Sequence, residues 1–324
     1  MNRVAVSLLN FHGAQSTIAC VQSLLRAAAS ASSSCRLEIF IFDNGSGAGE
    51  QQRLAQTVEQ LGDVHLECSA ENLGFSAGHN RNLETIFSRY EPDYVWLLNN
   101  DCLVAEQSLG ALVEQAERHP QVGIWGATLL EPDGETIQCA GGCFYNAWVS
   151  SYRQYGRGTA RNRLDRLQTM KYDYIAGASL FFPVATLLDG LQPLGTHAGE
   201  KPGRRGPWLN ESFFLYFEEL DLAKRLRPGI EMGWCRDALI RHESGASAGT
   251  SDNRRSAMAE YHSSLSALKF TRRYYPYRLW VTAPVRYVSK CLILLLRGDF
   301  RLIGVTTKAY WHFWTNQGRT AVTV

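Results

Sequence analysis

Apolar residues fall in short blocks along the first hundred positions, and each block ends in amides, glycines or a carboxylate. Val4 to Leu9 runs into Asn10-Phe11-His12-Gly13, and Leu37 to Phe42 into Asp43-Asn44-Gly45-Ser46-Gly47. Between them Ile18, Val21, Leu24 and Leu25 recur at helical spacing, which predicts a helix over 16–29; a second helix follows over about 50–61. His65 to Cys68 predicts a weaker third strand, and the stretch from Asn72 to Asn80 opens a helix reaching about residue 89. Then Tyr94-Val95-Trp96-Leu97-Leu98 runs unbroken into Asn99-Asn100-Asp101. Unbroken apolar runs mark strands buried on both faces, so these repeating units predict a doubly wound, mostly parallel α/β sheet flanked by helices. In open sheets of that kind ligands sit beyond the carboxyl ends of the strands, where these polar endings gather.

Two of the endings admit two readings each. Asp101 at the end of a buried strand places a charged oxygen at that crevice; Asn99, Asn100 and Asp101 also suit an Asx-type turn capping a helix near Glu106. Gly74 and Gly78 permit close backbone approach beside a helix N-terminus that can accept phosphate oxygens, or they simply start a helix that binds nothing. The G-x-G-x-x-G spacing of dinucleotide folds is missing there. Further on, a helix is expected from Glu106 to His119 and a strand from Val122 to Leu130, with hairpin and long loop over 132–169. Tyr172 to Phe182 returns to strand character around the small residues Gly177-Ala178-Ser179, and the Gly/Pro-rich stretch 190–208 predicts a flap over the site. Aromatic residues from Phe213 to Phe217 precede Glu218, Glu219 and Asp221 at a helix start, where the dipole favours acids. Trp234 to Ile240 is a last strand. His242 follows it, as a loop residue or a ligand.

Composition narrows the class. With 324 residues, 45% of them hydrophobic, the chain can bury one large core or two moderate ones. Eight cysteines without CxxC pairs fit buried thiols in a reducing cytoplasm better than disulfides or zinc sites. The apolar run after Arg3 is too short for a signal peptide, and no stretch is expected to reach the roughly 20 apolar residues of a membrane span. The net charge of +2 is uneven: nine Lys/Arg lie between Lys269 and Lys308 against Asp299 alone, +8, which leaves −6 elsewhere. Tyr274, Tyr275, Trp280, Trp311 and Trp314 interleave with those cations. Residues 251–324 therefore read as a basic, aromatic helical extension of a unit spanning 1–250. Its region 269–314 suits an anionic membrane surface, a helical cap on the first unit, or a homodimer contact. Nucleic acid is not an expected partner, because no recognised binding module accompanies the basic stretch.

In order, the segments NFHG, FDNGS, NLGFSAGHN, LLNND, YIAGASLFF, FFLYFEELDLAKRLR and IRHESGAS resemble the family 2 inverting glycosyltransferases of the GT-A fold, in particular their bacterial rhamnosyltransferase-like branch. The resemblance covers roughly residues 3–250. It implies a pyrimidine nucleotide-sugar donor, dTDP-rhamnose or a UDP-sugar, a saccharide or lipid-linked acceptor, and a role in bacterial surface-polysaccharide synthesis. Asn10 and Phe11 would line the base pocket, Asp43 would accept from the pyrimidine N–H, and Asn72, Gly74, Phe75, Gly78 and Asn80 would border the nucleotide and sugar. Asn100 and Asp101 stand at the family's Asp-x-Asp metal motif, whose first acid is here Asn99; His242 becomes a further ligand for Mg2+ or Mn2+. Glu219 takes the position of the general base, with Asp221 in reserve, although the family's Glu-Asp pair is here Glu218-Glu219. The chemistry asks for the same groups. A departing diphosphate gathers negative charge that a hard cation neutralises, and the attacking hydroxyl must lose its proton to a carboxylate. Two other readings remain. A nucleotidyltransferase would carry a basic Gly-rich loop near the N-terminus, and residues 10–15 contain no Lys or Arg. A degenerate sugar-nucleotide-binding partner protein would account for Asn99 and Glu219 departing from the pattern. The expected location is cytoplasmic, with the tail peripheral on the inner face of the membrane.

Overall fold

A computed structural model describes residues 1–31, 35–194, 206–243 and 256–316. The first hundred residues form β1 (Asn2–Asn10), α1 (Ala14–Ser30), β2 (Cys35–Asn44), α2 (Ala48–Val58), β3 (Val64–Ser69), α3 (Phe75–Arg89) and β4 (Tyr94–Asn99). β3, β2, β1 and β4 lie side by side and parallel, as the repeating units require. Alternation along β1 builds a layer on each face. Val4, Val6 and Leu8 pack with Leu24 of α1, whereas Ala5 packs with Leu83 and Ile86 of α3. Both layers exclude water, which explains why these strands read as continuous apolar runs.

The chain continues through β5 (Cys102–Val104), α4 (Ser108–Arg118), β6 (Val122–Leu130), β7 (Ile137–Ala140), β8 (Gly142–Asn146), β9 (Ser151–Gln154), β10 (Tyr174–Ile175), β11 (Ser179–Pro183), α5 (Val184–Asp189), α6 (Glu218–Arg225) and β12 (Glu231–His242). The main sheet has the order β3-β2-β1-β4-β11-β6-β12-β5, with β7 on the outside of β6. β11 runs antiparallel between β4 and β6, and β12 runs parallel to β6. Thus β1, β2, β4, β6 and β12 all finish at one rim. The single strand expected over Tyr172–Phe182 is divided by Ala176-Gly177-Ala178, and its halves join different sheets, β10 pairing with β8 and β11 with β4. Of the expected flap, residues 195–205 lie outside the described residues.

Three helices close the chain: α7 (Ala257–Tyr274), α8 (Leu279–Leu296) and α9 (Phe300–Trp314). Ser256 caps α7 by accepting from the Ala259 N–H at 3.1 Å. Ala267 and Phe270 of α7 are fully buried in the same core as α1, so this helix is a cap on the sheet domain. Glu260, buried in α7, accepts from the Ser264 hydroxyl and from the Thr306 hydroxyl of α9, each at 3.0 Å, and pairs with Lys290 of α8. One carboxylate thereby ties the three helices together. The expectation that no segment is long and apolar enough to cross a membrane is corrected: Pro276–Leu296, 21 residues, meets that test by length and composition. In sequence, Arg278, Arg286 and Lys290 interrupt the run; helical folding gathers Arg286 and Lys290 on one flank.

Gly74 shows how local backbone serves the fold. Its φ is 85°, and a Cβ there would lie 2.6 Å from the Phe214 carbonyl oxygen, which already accepts from the Phe75 N–H at 2.7 Å. At Gly78 a Cβ would meet the Leu9 side chain at 3.1 Å. The chain itself makes close approaches at both glycines, to Phe214 and to Leu9. Gly74→Ala should cost about 1–3 kcal/mol through backbone strain and displacement of the 211–217 segment. Urea unfolding should show the loss as a lower midpoint at unchanged slope; an unmoved midpoint would mean that the Phe214 segment yields freely.

Candidate active site

The rim is held by a continuous polar chain. Register pairs Asn10 of β1 with Asp43 of β2, and Leu9 with Asn99 of β4. The fully buried Asn10 amide donates to Asp43 Oδ2 at 2.7 Å and to the Ser46 hydroxyl at 3.1 Å. Asp43 Oδ1 accepts from the Ser46 N–H at 3.0 Å and from Gln51 at 2.9 Å. On its other side Asn10 Oδ1 accepts from the Thr17 hydroxyl at 2.8 Å, and Thr17 accepts from the Asn100 amide at 2.8 Å. β2, β1, α1 and the end of β4 are thus linked side chain to side chain. Because every donor in this buried chain has an acceptor, its members hold single orientations. Phe11, beside it, stays partly exposed.

Asp101 and His242 meet at the same rim although 141 positions separate them. His242 Nε2 lies 3.3 Å from Asp101 Oδ1, and both side chains are largely buried. His242 Nδ1 is 2.7 Å from the Gln138 amide oxygen, which accepts from it, so Nε2 is the nitrogen turned to the carboxylate. Asp101 Oδ1 makes no hydrogen bond. The Asn99 amide nitrogen is 3.3 Å from the same Nε2. Asp101, Cys102 and His242 can bring one ligand atom each within 4.8 Å of one another. The thiol is a poor third member: burial, with the Asp101 charge adding to it, holds its pKa well above the usual thiol range, and its S–H points to the Ala178 carbonyl at 3.7 Å. The carboxylate and imidazole are the fitting donors for a hard divalent cation.

The acid pair arrives through strained backbone. Tyr216 and Phe217 adopt φ of 66° and 74°, a left-handed conformation costly for bulky residues, immediately before α6. The turn sets Glu218 inward, 6% exposed, and Glu219 against Gly177, where an added methyl would lie 3.4 Å from the Glu219 carboxyl carbon. The small residues of that stretch leave room for this carboxyl group. Gly177 adjoins Ala178, whose carbonyl accepts from the Asn99 N–H at 3.0 Å, so Glu219 sits beside the end of β4. Burial raises both acids. Glu218, pressed further by the Glu219 charge, is held well above the carboxylate range, while Glu219 is pushed up to about 7.

Asp221 and Asn80 are each engaged by the fold. Asp221 is fully buried; Oδ2 binds Arg225 at 2.8 Å, and Oδ1 accepts from Tyr274 at 2.8 Å and Asn210 at 3.1 Å. Asn80, also buried, accepts from the Trp208 and Leu209 N–H groups and donates to the Leu209 carbonyl and Glu211. Asn72 bonds the Gly74 N–H at 2.9 Å and faces a cavity of about 680 Å³ shared with Phe214, His262, Lys269 and Arg272. Phe75 stays partly exposed, its ring 4.4 Å from His79. Reading the sequence missed Thr17, Ser46, Gln51 and Gln138, which orient the site. The Asp221/Arg225 pair carried a detectable signal in its helical i,i+4 spacing.

Solved structures of similar architecture include GalNAc-T7 with UDP, GalNAc and Mn2+, at a TM-score of 0.55 and 10% identity over 83% of this chain and 48% of that one. The chain thus spans about half the length of that protein. Staphylococcus aureus TarS 1–349 with UDP-GlcNAc gives a TM-score of 0.53 and 10% identity over 96% of this chain and 80% of TarS. The protein is a glycosyltransferase with the GT-A fold. Residues 10–138 match the model of glycosyl transferase family 2. An N-acetylglucosaminyl-diphospho-decaprenol L-rhamnosyltransferase of Mycobacterium tuberculosis is 24% identical over 280 residues, 78% of this chain and 80% of the relative.

Asp221→Asn should destabilise the fold by about 3–5 kcal/mol, since it leaves Arg225 buried without its counter-charge. A thermal melt reads this directly. A variant melting with the parent but turning over far more slowly would return Asp221 to the chemistry.

Proposed function

We propose that the enzyme transfers a sugar, with inversion, from dTDP-rhamnose or a UDP-sugar to a hydroxyl of a saccharide or lipid-linked acceptor in bacterial surface-polysaccharide synthesis. The supporting observation is the buried Asp101 carboxylate oxygen, without a hydrogen bond of its own, facing the Nε2 of an imidazole whose other nitrogen is engaged by Gln138. The donor class draws support from the UDP and UDP-GlcNAc in the similar structures, and the rhamnosyl and lipid-diphosphate readings from the name of the M. tuberculosis relative. Residues 1–250 constitute the catalytic unit and 251–324 its extension, at the inner face of the cell membrane.

Asn10, Phe11, Asp43 and Asn100 border the nucleotide, and Asn72 and Phe75 lie toward the sugar. Asp101 and His242 would hold Mg2+ or Mn2+. When bound, the cation neutralises charge on the leaving diphosphate. Glu219 accepts the proton of the acceptor hydroxyl as its oxygen attacks the anomeric carbon opposite the diphosphate. The bond to the diphosphate breaks, its electron pair leaves with the phosphate oxygen, and the configuration inverts. Glu218, protonated, places no second negative charge beside the base.

Glu219→Gln should lower kcat by about 10²- to 10⁴-fold while donor affinity, read by calorimetry, stays near the parent value. An unchanged kcat would remove Glu219 from the mechanism. The base works as carboxylate, so the parent rate should fall as pH drops through about 7, where burial has placed this group. Residual turnover of the Gln variant should lack that limb. EDTA should abolish transfer, with Mn2+ restoring it in the parent and only weakly in Asp101→Asn; transfer indifferent to EDTA would exclude the cation role.

A further inference from the structure

A helix lying on a globular domain ordinarily turns its apolar residues inward and its polar residues to water. α8 departs from this. Beside the buried Leu279, Ala283 and Leu294, its inward flank carries Thr282, Arg286 and Lys290: the Thr282 hydroxyl donates to the Ala147 carbonyl at 3.0 Å, Arg286 to the Ser150 carbonyl, and Lys290 pairs with buried Glu260. Its outward flank carries Val281, Val285, Val288, Leu292 and Leu296, all exposed, the last at 81%. Steps of three and four residues keep these five on one side of the helix. Beside them α9 exposes Phe300, Trp311 and Trp314, and Trp314 stacks on Trp280 of α8 at 5.7 Å. Among the described residues, every exposed large hydrophobic side chain other than Met1, Trp148, Val149, Tyr152 and Met170 lies between Tyr277 and Trp314. Contiguous apolar exposure of that kind marks an interaction surface.

The charges around this face select its partner. Arg272, Arg297, Arg301 and Lys308 are exposed about it, and Asp299 is the only acid between Tyr261 and Asn316. Two copies of the chain meeting here would bring like charges together, whereas anionic phospholipid headgroups neutralise them. We propose that the α8–α9 hairpin docks on an anionic bilayer surface, with the valine and leucine stripe in the outer acyl region and Trp280, Trp311 and Trp314 at headgroup depth. The inward flank is bonded to the domain from Thr282 to Lys290, so the helix lies in the plane of the surface rather than across the membrane. This deepens the transferase reading by placing the rim beside a lipid-linked acceptor, but it rests on observations of its own.

The test is flotation of the purified full chain with vesicles of phosphatidylglycerol and phosphatidylcholine, compared with phosphatidylcholine alone. The parent should float with the anionic vesicles, less so as salt rises, and the double variant Val288→Asp/Leu292→Asp should lose about 10-fold or more of that binding. Both side chains already stand in water, so the melting temperature should not move. A parent that fails to float, or a double variant that floats equally well, overturns the inference. So does a parent that is dimeric by light scattering and becomes monomeric in the double variant without ever binding vesicles. Donor turnover measured on the same samples separates the two proposals: vesicle binding without transfer sinks the transferase reading alone, and transfer without vesicle binding sinks this one alone.

Discussion

The site depends on a buried hydrogen-bond chain running across the strand ends, from Asp43 through Asn10 and Thr17 to Asn100. A parallel sheet fixes the spacing of its strands but leaves the loops beyond them free to diverge. Here the loops cannot diverge, because each is joined to its neighbour by a side-chain bond with no water to replace it. A buried polar group left without its partner costs about 1–3 kcal/mol, so displacing one loop would break several bonds together. The first turn of α1 is included, since Glu50 of α2 accepts from the Ala14 N–H at 2.8 Å where α1 has no side-chain cap of its own. The rim is therefore a preformed rigid surface, on which Asp101 and His242 are placed by strands that finish in register.

The acid pair comes from the opposite kind of construction. Nothing regular delivers Glu218 and Glu219; two consecutive left-handed aromatic residues do, and such a turn survives only where its surroundings compel it. The compulsion is aromatic packing. Phe217 lies edge-on to Tyr145 and against Phe270, and Tyr145 packs on Phe270 from the other side. Phe270 belongs to α7, so the C-terminal cap helps to hold the turn before α6. This gives a physical reason for the extension to be packed on the domain rather than tethered to it.

Much of this could be read from the chain because strands buried on both faces leave a distinctive run, and because a polar ending to such a run is chemically conspicuous. Asp101 stood out on that ground. His242 and Glu219 did not; they gained meaning only from the ordered motifs around them. Gln138 gave no signal, since a glutamine in a short edge strand has no pattern that foretells a contact with His242. At the glycines the reading stops for a definable reason: spacing reveals that something comes close to Gly74 but not that Phe214 is among what does. The apolar outward face of α8 was hidden because a linear count sees cations interrupting an apolar run, whereas the helix gathers Arg286 and Lys290 on the flank away from the exposed valines and leucines.

One topological detail bears on how such an enzyme can diversify. Since β11 runs against β4 and β6, the chain that leaves the main sheet after Ala140, at the end of β7, comes back to it at Ser179 beside the end of β4. Between those points β8, β9 and β10 build a small sheet of their own. The residues just before the return lie against Glu219, where Gly177 meets its carboxyl group. A change of length in the connection between β9 and β10 would therefore alter what surrounds Glu219 on that side while every register of the main sheet stays as it is.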